Sequence, residues 1–177
     1  MISDDLEELV FDALYFRRLH PDRTCLQTNL AAQELQGQSV AALPHIERVL
    51  TKVVSPASLE PPKRRSLPGS GDMSYEVDEF PGLSGLLGAY LVIGSKHDVL
   101  RVVDFLRGVP PTLQAKAVAL LPVFFRKMKV RAEEKDVNSL KDPPAKPLLL
   151  FVEELSRSEN QLLRENALRA MSFFPQG

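Results

Sequence analysis

Apolar residues in this chain recur at intervals of three and four, and that spacing constrains the fold more than any other feature. Leu6, Leu9, Val10, Ala13 and Leu14 stand at positions i, i+3, i+4, i+7 and i+8. On a helix of 3.6 residues per turn these five share one face. Ser3 is expected to cap that helix, with Asp4, Asp5, Glu7 and Glu8 at the positive end of its dipole. His20-Pro21-Asp22 ends it, because proline cannot continue a helix. A second helix is expected from about Thr24 to Gln36, with Leu26, Leu30, Ala31 and Leu35 as its apolar face and Gly37 as its stop. Ser39 is placed to cap a third, carrying Leu43, Ile46, Val49, Leu50 and Val53, with Pro44 near the first turn where proline is tolerated. Further helices are expected over about Leu83–Gly94, His97–Arg107, Thr112–Met128, Pro147–Leu155 and Glu159–Phe174. Leu148 to Val152 alone would suit a buried strand. Its continuation into Glu153-Glu154-Leu155 favours helix.

Two stretches break this pattern. Residues 55–82 hold five prolines, the basic run Lys63-Arg64-Arg65, the triplet Gly69-Ser70-Gly71 and the acidic Glu76, Asp78 and Glu79. Such composition is expected to give a flexible, proline-rich insert with neither helix nor strand. Residues 129–145 are polar and run into Asp142-Pro143-Pro144, which marks a second insert. The rest of residues 1–177 then forms a single helical domain, long enough for a sizeable core.

Several helices share a short pattern in which a small residue stands between apolar neighbours. Leu163 to Met171, centred on Ala167, and Leu113 to Leu121, centred on Ala117, fit it well; Gln27 to Leu35 around Ala31 and the segment around Ala89 fit it more loosely. A small residue lets a neighbouring helix approach closely while its flanks fill the seam. Helices of a second kind, Ala41 to Leu50 and Asp98 to Leu106, follow the first two. This alternation resembles HEAT-like helical repeats, most closely over His20–Leu50 and Ser158–Met171. The resemblance implies an all-α fold: a right-handed stack of antiparallel helix pairs, an α-solenoid of about seven helices with two irregular inserts. It also implies that the second kind of helix lines a concave recognition surface. The four alanines are 58, 28 and 50 residues apart, a less regular period than the usual repeat of about 40–47 residues. The two inserts fall in the longer intervals.

His20, His45 and His97 are far apart and the single Cys25 has no zinc-ligand spacing around it, so no metal and no other cofactor is expected. Gly94-Ser95-Lys96 lacks the glycine spacing of a phosphate loop, and no Gly-x-Ser-x-Gly elbow occurs. The expectation is a non-catalytic protein that binds another protein. His45, Glu47, Arg48, Arg101, Asp104 and Arg107 are the expected contact residues, from the exposed sides of two second-type helices. The alternative is nucleic acid, through Lys63, Arg64 and Arg65 and through Arg126, Lys127, Lys129 and Arg131. A net charge of −1 and the absence of Trp weigh against it. A small accessory subunit of an enzyme is a third class. An acidic N-terminus unlike a signal peptide, and no apolar run able to span a bilayer, make the cytoplasm the expected location, without a membrane partner.

Overall fold

The computed structural model describes residues 2–15, 29–53, 64–66, 74–76, 80–122 and 145–173. They form an α-helical body plus one short β-hairpin. The helices are α1 (Ile2–Leu14), α2 (Leu30–Leu35), α3 (Leu43–Val53), α4 (Leu83–His97), α5 (Val99–Gly108), α6 (residues 111–122), α7 (Ala145–Leu155) and α8 (Gln161–Met171). That is eight among the described residues, one for each helix placed from the spacing, where the repeat resemblance implied about seven.

Capping side chains fix the starts of α2, α5, α8 and one 3-10 turn, and several differ from expectation. Ser3 lies inside α1. Asn29 caps α2, its side chain accepting from the Ala32 amide at 3.0 Å, so α2 begins at Leu30 rather than Thr24. Ser39 caps a single 3-10 turn, Val40–Ala42, that leads into α3. Asp98 and Asn160 cap α5 and α8 by accepting from the amides of Arg101 and Leu163. A short polar side chain at such positions satisfies an amide that the helix cannot. Leu148 to Val152 is helical, with Leu148, Phe151, Val152 and Leu155 buried at i, i+3, i+4 and i+7.

The first insert contains strand. Arg64–Ser66 (β1) pairs antiparallel with Ser74–Glu76 (β2), in the register Arg64↔Glu76, Arg65↔Tyr75, Ser66↔Ser74. Alternation over three residues is too short to stand out in a proline-rich sequence. The expected second insert falls almost wholly outside the described residues, and Ala145 already belongs to α7.

One continuous core runs through the body, and α4 is its axis. Leu83, Leu86, Leu87, Ala89, Tyr90, Leu91, Ile93 and Gly94 are buried along one broad side of that helix, while Ser84, Gly85, Gly88, Val92 and Ser95 hold its less covered side. A wide apolar side of this kind needs several neighbours to cover it, and α4 touches α1, α2, α3 and α5. Each buried Leu or Ile contributes about 1.5–3 kcal/mol relative to exposure. Ala31, Ala89, Ala117 and Ala167, the small centres of the sequence pattern, are fully buried. Glycine permits two closer crossings. A Cβ on Gly94 would strike the Val102 side chain of α5. One on Gly82 would strike the Ala13 carbonyl of α1, to whose next residue, Leu14, the Gly82 amide donates at 2.8 Å. None of the described helices is long and apolar enough to cross a membrane.

Candidate interaction face

The helices α1, α3, α5 and α7 are linked, neighbour to neighbour, by ion pairs. Glu7 of α1 meets Arg48 of α3 at 3.0 Å. Glu47 of α3 receives Arg101 of α5, with Nε on one carboxylate oxygen and Nη2 on the other, both at 2.8 Å. Arg107 of α5 meets Glu154 of α7 at 2.8 Å, and its guanidinium lies 5.8 Å from the centre of the Phe151 ring.

These pairs differ in environment. Side-chain exposure is 36% for Arg101 and 19% for Glu47, against 49% for Arg107 and 59% for Glu154. The Glu47 pair also has a third member. The fully buried Tyr90 of α4 donates its hydroxyl to Glu47 Oε1 at 2.8 Å. Burial, the hydrogen bond to Glu47 and the charge of Glu47 all push the Tyr90 phenol far above its usual value. The hydrogen bond to Glu47 also raises Arg101, outweighing a small desolvation effect. A bidentate guanidinium–carboxylate fork is the strongest form of such a pair. Here it joins three helices: α3, α4 and α5.

Of the six expected contact residues, the fold brings Glu47 and Arg101 together, and His45 and Arg48. His45 Nδ1 lies 3.2 Å from Arg48 Nη2, one turn along α3. Arg107 turns to α7. Asp104 is exposed, and no ion pair or hydrogen bond engages it among the described residues. Near these charges stand two large exposed side chains, Leu100 of α5 at 62% and Leu150 of α7 at 51%. For the alternative set, Arg64 and Arg65 lie in β1; Lys63, Arg126, Lys127, Lys129 and Arg131 lie outside the described residues.

Sequence reasoning missed Tyr90, Glu7, Glu154 and Phe151. Only Tyr90 left a signal: a lone polar-tipped aromatic in an otherwise aliphatic helix must find its hydroxyl a partner. The others required knowing which helices are neighbours.

No group of three or more His, Cys, Asp or Glu side chains among the described residues converges as a metal site would. No family model, no curated protein and no solved structure matches this chain.

Proposed function

We propose that this chain is a non-catalytic interaction module that binds another protein through the face formed by α3, α5 and α7, in the cytoplasm. The observation that carries this reading is the line of ion pairs from α1 to α7, which leaves Leu100, Asp104 and Leu150 open to solvent beside it. An exposed leucine on each of α5 and α7, beside paired charges, supplies the apolar and polar groups that a recognition surface combines.

The finer architecture we propose is a HEAT-like, right-handed stack of antiparallel helix pairs. Arg107 and Glu154 sit near the ends of α5 and α7, and Arg101 in the first half of α5 reaches Glu47 in the first half of α3. Contacts between like ends favour parallel neighbours, as expected for the inner layer of such a stack. α2 against α4, and Asn166 of α8 donating to the Ala115 carbonyl of α6 at 3.1 Å, fit an outer layer. Single-residue and five-residue joints, Asp98 and residues 156–160, fit antiparallel pairing of α4 with α5 and of α7 with α8.

The test compares immobilised wild-type chain with L100E/D104R and, as a control on α6, K116E, in extract of the native host, with retained proteins quantified by mass spectrometry. All three altered side chains are exposed, so stability changes little. At least one protein should be held by wild type and K116E and fall about tenfold or more with L100E/D104R. Equal retention by all three forms would remove the proposal.

A further inference from the structure

The helical face makes no use of one sequence feature: the basic run in the first insert. Lys63-Arg64-Arg65 stands directly before Ser66 and Leu67. Arg64 to Ser66 is extended backbone, strand β1, and among the described elements β1 and β2 pack chiefly on each other. A two-stranded ribbon of three residues a side is marginal in water, so it opens at little cost.

We propose that Ser66 is a phosphorylation site for a basophilic protein serine kinase, one whose substrate groove is lined with carboxylates. Such a groove takes its substrate extended and holds arginines ahead of the acceptor by bidentate, charge-assisted pairs. Arg64, Arg65 and Lys63 supply the cations, and Leu67 supplies an apolar contact on the other side. Two hydroxyls follow an arginine by three residues, where Ser66 follows Lys63: Thr51 after Arg48 and Ser172 after Arg169. Neither is presented in the same way. Thr51 lies in α3 and donates to the Glu47 carbonyl at 2.8 Å; Ser172 caps α8 and donates to the Arg169 carbonyl at 2.7 Å. A kinase would have to unwind a helix to reach either, whereas Ser66 is already extended.

In the transfer, Ser66 Oγ forms a bond to the γ-phosphorus of magnesium-bound ATP. The bond from that phosphorus to the bridging oxygen breaks, ADP leaves, and the hydroxyl proton passes to the kinase's catalytic carboxylate. The product carries about −1.5 to −2 of new charge at neutral pH. Ser66 is the ladder partner of Ser74, and Arg64 of Glu76. A phosphate there offers the adjacent arginines a stronger acceptor than a carboxylate, and so changes what the ribbon presents.

The experiment incubates the full chain with magnesium-ATP and a purified serine kinase that requires arginine ahead of its acceptor, then maps the product by mass spectrometry. One phosphoryl group should appear on Ser66 and be absent from S66A. The initial rate should fall about thirtyfold or more in R64A/R65A, the size expected for losing charge-assisted pairs in the groove. Helical circular dichroism of both variants should match wild type. Three results would overturn the proposal: phosphate on Thr51 or Ser172 with Ser66 unmodified; an unchanged rate in R64A/R65A; or labelling of a free peptide of residues 60–70 but not of the full chain.

Discussion

The seams on the two sides of α5 look alike and should behave differently. Each joins α5 to a neighbour through an arginine–glutamate pair at 2.8 Å. On the α3 side the carboxylate is mostly covered and also receives the hydroxyl of a buried tyrosine. On the α7 side both partners are about half exposed, and the added contact among the described residues is an aromatic ring. Distance is therefore a poor guide to worth. Exposed pairs yield about 0–1 kcal/mol because water and salt compete for both ions. Where a partner group has no water to fall back on, removing one member also carries its desolvation.

Four measurements sharpen or break this contrast, taken from the largest expected effect downward. Glu47→Ala strands the Tyr90 hydroxyl and frees Arg101, and should lower the unfolding free energy by about 2–3 kcal/mol in urea titrations. A loss no greater than that of Arg107→Ala would make the two seams equivalent. Alkaline pH comes next. The Tyr90 phenol is raised in the folded chain, so its contribution is complete below the unfolded value of 10.0 and is lost as pH rises beyond it. Unfolded tyrosine loses its proton there while Tyr90 keeps its own, so the stability of wild type relative to Tyr90→Phe should fall by about 1.4 kcal/mol per pH unit above 10. A difference between the two proteins that stays flat from pH 9 to about 11.5 would contradict the buried assignment. At neutral pH, Tyr90→Phe itself should cost about 1 kcal/mol, one hydrogen bond with its shape preserved. Arg107→Ala should cost the least, about 0.5 kcal/mol, and that loss should shrink in 1 M salt, where charges are screened within about 3 Å.

The spacing of apolar residues revealed the helices because each buried stripe is a local pattern. Leu148, Phe151, Val152 and Leu155 declare a helix without reference to anything else. Ends were harder. Before α8, the chain offers Ser156, Ser158, Glu159 and Asn160 within five residues, and all can cap or lie near a cap. Asn160 wins because its amide-accepting oxygen reaches the Leu163 nitrogen, a matter of backbone angle rather than of composition. The candidate face was legible only as exposure. That Arg101, Asp104 and Arg107 lie outward followed from periodicity. That Arg101 meets Glu47 across 54 residues, or Arg107 meets Glu154 across 47, depends on which helices neighbour one another. The small hairpin was hidden for the opposite reason, since three residues a side are too few to form a period.

The joint at Asp98 has a mechanical consequence. Its amide closes the end of α4 by donating to the Gly94 carbonyl at 2.6 Å, while its carboxylate opens α5. One residue thus terminates one rod and initiates the next, with no slack between them. Since Gly94 also leaves room for the Val102 side chain of α5 to seat directly on α4, the two helices are held as a single bracket. Adaptation of the surface to what it grips then falls to the joint after α5, at Val109-Pro110.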